Sequence, residues 1–381
     1  MRIKHICFIV PNYPTKNDPM YTFVRELVVS ISRLGIKCSI IAPQSITNFL
    51  FKRKRKRSFK WQDKAKDGVV IDVYQPIHFP FLNINIKGHN IAGSLMSTAI
   101  KYAFYRYKLN PDILYAHFWH SGVIAGHIAK KNKIPVFVAT GESRIWVKDL
   151  FSESFINEAL SYINGVISVS TKNKEESIAL ELSKDKEVIV IPNSVNDKNF
   201  HIMNKVEIRK KLGIAQDDFV VVFTGAFTHR KGILRLAEAT NRIQGVKAIY
   251  IGSGDLRPQD ENVLFSGKLP HDQVSTYLNA ADVFVLPTLA EGCSNAIMEA
   301  MACGLPIISS NLPFNDDVLD ERNSLRIDPL DIDGIANAIK LLKEDKQLRN
   351  SLSFGAIERA KEFRINNRVE KILNFMNEMV D

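Results

Sequence analysis

The strongest constraint on this chain is a pattern that starts twice. His5 to Val10 is a short apolar run that stops at Pro11. Phe23, Leu27, Ile31 and Leu34 then recur at helical spacing before Gly35 and a second apolar run from Cys38 to Ala42. Phe219 to Thr224 opens the same way, with a polar loop from Gly225 to Gly232 and an apolar-faced segment from Ile233 to Ile243. Runs of this length between turn residues read as buried strands, and strand–loop–helix–strand units build parallel sheets covered by helices on both faces. A chain of 381 residues is too long for one core. Two such starts therefore imply an α/β fold of two Rossmann-like, doubly wound domains. The expected division is 1–195 and 196–362, with a closing helix over 363–381 whose Val369, Ile372, Leu373 and Met376 share an apolar face.

Asp282 to Pro306 carries the clearest chemistry. Val283 to Leu286 reads as a strand that Pro287 stops. Ser294 or Asn295 can cap a helix through Ile297, Met298 and Met301, which Gly304 and Pro306 end. Such a helix start presents backbone N–H groups to an anion. Glu291 in the loop and Glu299 in the helix frame it, roughly 10 Å apart at a rise of about 1.5 Å per residue. That separation is too great for sharing a proton or a metal ion. It suits a grip on two hydroxyl-bearing ends of one long ligand, with a phosphate between them. On spacing alone, two solvated glutamates are an equal reading.

The segment resembles the glutamate–seven residues–glutamate signature of the family 4 retaining glycosyltransferases. Its surroundings match as well: Ala281-Asp282-Val283, Pro287, Glu299-Ala300-Met301-Ala302 and Gly304-Leu305-Pro306. The resemblance extends, more weakly, over nearly the whole chain. It implies the GT-B fold, two Rossmann-like domains facing across a cleft, with the last helix crossing back onto the N-terminal domain. It also implies a nucleotide-diphospho-sugar donor (UDP- or GDP-sugar) in the C-terminal domain. Glu299 would bind the ribose hydroxyls and Glu291 a hydroxyl of the donor sugar. N–H groups near Gly292, Cys293, Ser294 and Asn295 would meet sugar and phosphate, and the turn at Lys268 and Leu269 would read the base. Retention of anomeric configuration and no cofactor or metal follow from the same resemblance.

Gly225 to Gly232 includes Arg230 and Lys231 at a strand-to-helix turn, two cations suited to a departing diphosphate. The resembled family has an Arg directly after the first glycine, where this chain has Ala226, so Arg230 and Lys231 carry that charge. Gly252 follows another strand in a short Gly-x-Gly. On the acceptor or sugar side, His117 and His120 stand at a strand's C-terminal end, where open α/β sheets bind ligands. Glu142, in Thr140-Gly141-Glu142, occupies the region of the family's usual His. The loop Pro11 to Met20 has no glycine; its Asp18-Pro19 and Phe23-Val24 resemble a subgroup variant, which adds Asp18 to the same side. Asp331-Ile332-Asp333 superficially matches a metal motif of a different transferase fold. Asp333, before Gly334 and an apolar helix, is read instead as a cap.

Charge is uneven. Residues 1–190 hold 28 Lys and Arg against 15 Asp and Glu, so the N-terminal half carries all of the net +10 and its partner should be anionic. Lys52, Arg53, Lys54, Arg55, Lys56 and Arg57 are consecutive, with Phe49, Phe51, Phe59 and Trp61 nearby. Such a run suits an anionic inner-membrane surface; a nucleic acid would also accept it, and a solvated loop without a partner is a further reading. No nucleic-acid module is present. No apolar run approaches the roughly 18 residues of a spanning helix. Ile6 to Val10 is too short for a signal-peptide core, and four cysteines without paired spacing read as reducing cytoplasm. The expectation is a cytoplasmic glycosyltransferase, peripheral to the membrane. It would act on a lipid-linked or oligosaccharide acceptor in capsule, exopolysaccharide or lipopolysaccharide assembly. A UDP-sugar 2-epimerase-like enzyme and a non-catalytic sugar-nucleotide or membrane binder are the alternatives.

Overall fold

Short runs rich in Ile, Val and Phe build the sheets of this protein. Its structure, a computed structural model, describes residues 3–15, 20–46, 59–79, 84–86, 89–259 and 261–380. Asp18 and the basic run Lys52 to Arg57 lie outside the described residues. The chain divides into two compact units: Met1–Ile191 with Val369–Asp381, and Pro192–Arg368.

The sheet of unit 1 contains β1 (His5–Ile9), β2 (Lys37–Ile41), β3 (Lys60–Lys64), β4 (Val70–Tyr74), β5 (Ile113–His117), β6 (Val136–Thr140), β7 (Ile163–Ser168) and β8 (Val188–Val190). Their order is β8-β7-β6-β5-β1-β2-β4-β3. All neighbours are parallel except β3, which runs antiparallel to β4. Every residue of β5 and β6 is buried, as expected of strands covered on both faces. The edge strand β3 carries Lys60, Asp63 and Lys64, charges that discourage pairing with another chain. Helices α1 (Thr22–Ser32), α2 (Ile91–Arg106), α3 (Trp119–Asn132), α4 (Glu153–Leu160) and α5 (Thr171–Ala179) belong to this unit.

Unit 2 contains β9 (Phe219–Thr224), β10 (Val246–Ile251), β11 (Val263–Gly267), β12 (Val283–Leu286), β13 (Ile307–Ser310) and β14 (Ser324–Ile327). They are parallel in the order β11-β10-β9-β12-β13-β14. Its helices are α6 (Lys205–Leu212), α7 (Ile233–Asn241), α8 (His271–Ala280), α9 (Asn295–Ala302), α10 (Ile332–Glu344) and α11 (Lys346–Glu362). The winding reverses between β9 and β12, and in unit 1 between β1 and β5. Ligands of open α/β sheets bind outside the strand C-termini at such points.

The last helix, α12 (Ile365–Val380), begins in unit 2, where Ile365 N–H bonds the Val195 carbonyl at 3.1 Å. From Val369 onward it belongs to unit 1, with Phe375 edge-on to Phe137 at 5.9 Å between ring centroids. The cap of α10 differs from the sequence expectation. Asp331 accepts the Gly334 N–H at 2.9 Å, whereas Asp333 lies in the first turn and pairs with Arg242. The residue before the helix has the extended backbone a cap needs; one inside the turn does not. Among the described residues no helix is long and apolar enough to cross a membrane. All four cysteines are free and buried, and burial pushes each thiol up to about 12.

The N-terminal ends of β9 and β12 are tied by a buried charge cluster. The Arg209 guanidinium, on α6, donates to Asp282 at 2.8 Å and to the carbonyls of Gln216, Asp218 and Ala280 at 2.9 Å each. Asp282 also accepts from Lys205 at 2.5 Å and from the Val220 N–H at 2.7 Å. Arg209 is almost fully enclosed, so removing its carboxylate partner leaves a buried unpaired charge. Asp282→Ala is expected to cost about 3–5 kcal/mol, read as a lowered urea midpoint, with the loss much smaller if both residues are replaced by apolar ones.

Candidate active site

Two loops meet at the switch point of unit 2. One, Gly225 to Gly232, leads from β9 into α7; the other leads from β12 past Pro287 to α9. Glu291 of the second loop is nearly enclosed, and its Oε1 is shared by three donors. They are the Lys231 ammonium, the Arg230 guanidinium at 3.3 Å and the Thr288 hydroxyl at 2.9 Å. Arg230 Nη1 also donates to the Ala290 carbonyl, and its own carbonyl accepts the Leu289 N–H at 2.8 Å. The expected carboxylate and both expected cations thus form one cluster.

Sequence reasoning missed the residue that holds these loops together. Arg235, in the first turn of α7, donates to Pro329 O at 2.6 Å, Pro287 O at 2.8 Å and His229 O at 3.1 Å. One guanidinium therefore pins three loops. Its signal in the sequence is a lone Arg four residues after Lys231, indistinguishable from a solvated helix residue.

The helix α9 starts at Asn295, with Ser294 in the capping position. Ser294 makes no capping hydrogen bond, contrary to the expectation that it or Asn295 would cap the helix. Asn295 Oδ1 is buried without a hydrogen-bond partner among the described residues. The first-turn N–H groups therefore have no side-chain cap, as an anion site requires. Gly292 and Cys293 are buried just before it, and the Cys293 carbonyl accepts from Asn193 at 3.1 Å. Glu299, farther along α9, accepts from or pairs with His271 Nε2 at 3.1 Å. His271 opens α8, directly after the turn holding exposed Lys268 and half-buried Leu269.

Gly252 has a packing reason of its own. Its φ is +152°, and a Cβ there would lie 1.8 Å from the Gly225 carbonyl oxygen. The loops after β9 and β10 thus touch backbone to backbone, and the Phe227 N–H donates to Ser253 O at 3.0 Å. Among the described residues no group of three or more His, Cys, Asp and Glu side chains is placed to hold a metal ion.

At the switch point of unit 1, His117 ends β5 and His120 lies in the first turn of α3, both buried. Burial lowers the His120 imidazole to about 4, so it is neutral at physiological pH. The Glu142 carboxylate accepts the Trp119 N–H at 2.8 Å, the Gly141 N–H at 2.8 Å and the Thr140 hydroxyl at 2.7 Å. Burial raises its pKa, against the opposing pull of those donors. The structure thus brings His117, His120 and Glu142 to one end of the unit 1 sheet.

The two doubly wound parallel-sheet units are those of the GT-B fold. The family model described as Glycosyltransferase Family 4 matches residues 20–199, and that described as Glycosyl transferases group 1 matches residues 218–345. The chain belongs to this family, and it is a glycosyltransferase. It is 28% identical over 349 residues to the putative teichuronic acid biosynthesis glycosyltransferase TuaC of Bacillus subtilis, covering 88% of each chain. It is 29% identical over 305 residues to the Escherichia coli UDP-Gal:alpha-D-GlcNAc-diphosphoundecaprenol alpha-1,3-galactosyltransferase, covering 71% of this chain and 76% of that one. Among solved structures it is similar to sucrose-phosphate synthase from Thermosynechococcus elongatus, with a TM-score of 0.78, 19% identity and 99% of each chain covered. HepE of Anabaena in complex with UDP and glucose gives a TM-score of 0.73 at 18% identity, covering 98% of this chain and 100% of that one.

A carboxyl with a raised folded-state pKa contributes its stability in full below the ordinary glutamate range and loses it as pH climbs through the raised value. Urea midpoints of the wild type, followed from about pH 4 to about pH 8, should therefore fall relative to those of Glu142→Gln. Parallel curves would contradict the assignment of that pH dependence to Glu142.

Proposed function

We propose that this glycosyltransferase moves a sugar, with retention of anomeric configuration, from a nucleotide-diphospho-sugar to a hydroxyl of a lipid-linked or oligosaccharide acceptor in surface-polysaccharide assembly. The observation that carries the reading is the cluster of Glu291, Lys231 and Arg230 beside the side-chain-uncapped start of α9. A UDP-sugar is favoured over a GDP-sugar because HepE is named with UDP and the galactosyltransferase with UDP-Gal. The polysaccharide role is supported by the names of TuaC and of the staphylococcal capsular polysaccharide biosynthesis glycosyltransferase CapM, 27% identical over 213 residues.

In this reading Glu299 holds the ribose hydroxyls and Glu291 a hydroxyl of the donor sugar. The diphosphate lies at the N-terminus of α9 and draws Lys231 and Arg230 toward it. The bond from the anomeric carbon to the diphosphate oxygen breaks as the acceptor oxygen forms its bond on the same face. The acceptor proton passes to the departing diphosphate, so no protein nucleophile is required. Negative charge grows on the leaving group, where the two cations stabilise it. They supply the role a divalent ion would otherwise fill, so no metal is needed.

Turnover of UDP-sugars, followed by NMR of the product anomer in the presence of EDTA, tests this reading. Lys231→Ala is expected to lower kcat by roughly 10²–10³, the usual loss for one donor aimed at developing negative charge. Full activity in that variant, or an inverted product, refutes the mechanism. The run Lys52 to Arg57 is proposed to hold the protein at an anionic inner-membrane surface, at about 1 kcal/mol per charge. Replacing its six cations with Gln should abolish co-sedimentation with phosphatidylglycerol vesicles; unchanged sedimentation refutes that contact.

A further inference from the structure

The two units share a winding pattern but treat negative charge in opposite ways at their switch points. In unit 2 the start of α9 has no side-chain cap and two cations lie in the adjoining loop. In unit 1 the start of α3 already has a carboxyl group on it. The N–H of Trp119, the first residue of α3, points at Glu142 Oε1. The Gly141 N–H and Thr140 hydroxyl converge on Oε2. These are the donors a phosphate would take at a helix start in a sheet of this kind.

The surroundings hold that carboxylate in place. Asn173 donates to the Glu142 carbonyl at 2.8 Å and is itself bonded to Ser170. The Trp119 indole donates to Ser177 at 3.0 Å, which fixes the same helix end from the other side. Phe118, with φ of +71°, turns the chain so that the next N–H faces Glu142. A bulky aromatic rarely adopts such backbone, so this strain is held against a definite contact. The cations nearby are engaged: Lys172 with Glu176 at 2.5 Å, and Arg144 with Asp149 at 3.6 Å.

We propose that the Glu142 carboxyl, by occupying the donors a phosphate would take, closes the start of α3 to phosphate and leaves the aromatic surface beside it to an uncharged sugar ring. The surface for that ring is aromatic. Trp146 is 40% exposed and lies 4.9 Å from the His120 ring at an interplanar angle of 33°. Phe118 joins His120 to Tyr21, with ring centroids 6.1 and 6.0 Å away. Glu142 acts here as a positioning residue: it fixes the start of α3, from which His120 and the neighbouring Trp146 are placed. The sugar half of the proposal rests on the transferase reading and makes Trp146 part of the acceptor side. Any phosphate group of the acceptor must then lie outside this crevice.

The chain has three tryptophans, Trp61, Trp119 and Trp146, so protein labelled with ¹⁵N only in tryptophan gives a simple spectrum. Inorganic phosphate and pyrophosphate should leave the Trp119 backbone signal of the wild type in place. That signal should move with pH as the carboxylate it donates to titrates above the ordinary glutamate range. Among the described residues the charged and titratable groups about Glu142 include Tyr21 before α1, His120 on α3, Arg144 two residues on, and Lys172 and Glu176 on α5. In Glu142→Ala, phosphate should shift Trp119. A shift with phosphate in the wild type, or none in Glu142→Ala, overturns the proposal. Should Glu142→Ala not fold, Glu142→Gln decides: loss of the pH-dependent Trp119 shift supports the proposal, and its persistence overturns it. Methyl glycosides of glucose, galactose and N-acetylglucosamine should move the Trp146 indole signal, and no movement with any of them overturns the sugar half. Thermal stabilisation by UDP measured on the same samples reports on the donor site of unit 2, so failure of the transferase reading is seen separately.

Discussion

The ion pair between Lys231 and Glu291 is the interaction on which the unit 2 site depends. Its two loops leave neighbouring strands, β9 and β12, whose connections wind away in opposite directions. The Leu289 N–H on the Arg230 carbonyl is a direct backbone bond between them, and the remaining ties are side-chain bonds. Side chains of both partners are only 13% and 11% exposed, so Coulomb attraction acts with little screening and neither group is well solvated without the other. In the proposed reading, a diphosphate arriving at the start of α9 would compete for Lys231, and Glu291, released from part of its pairing, would become a stronger acceptor for a sugar hydroxyl. Donor binding and carboxylate activation would then be coupled through one ammonium group, with Arg235 bonded to all three loops throughout.

Much of this architecture is legible in the sequence because burial imposes it. Strands such as Ile113–His117 and Val283–Leu286 are apolar at nearly every position, since helices cover both faces of a parallel sheet. Glu291, Arg230 and Lys231 were legible as charged residues at strand-to-helix turns. What stayed illegible depends on partners far along the chain. Arg235 reaches Pro329 and Pro287, and Arg209 reaches Ala280 and Asp282, and no local pattern announces those contacts. Asp331 and Asp333 are both plausible caps by composition, and only the turn at which the backbone enters α10 separates them. Ser294 has the right identity for a cap and makes no capping bond, because residue type fixes the capacity and the loop fixes the direction.

Glu142 illustrates the same limit from the other side. As a letter in Thr140-Gly141-Glu142 it reads as a charged group available to a ligand. In the fold it is 7% exposed and its two oxygens serve three internal donors, so they are committed to the protein. The net positive charge of the N-terminal half therefore does not translate into a phosphate site at the unit 1 switch point. Long-range potential and local donor geometry are separate quantities, and the second decides what a crevice holds.

Strand β12 shows how one motif divides between stability and chemistry. Its four residues span about 13 Å at roughly 3.3 Å per residue. Asp282 at the entry is locked to Arg209, Lys205 and Val220, while Pro287 and Thr288 at the exit lead to Glu291. The carboxylate nearest the strand in sequence therefore lies at the opposite end of it from the Glu291 cluster. Loss of activity after a change at Asp282 would come through a loosened strand and loop, with the donor contacts themselves untouched. A change at Glu291 acts at the cluster itself and leaves the buried tie at the other end intact.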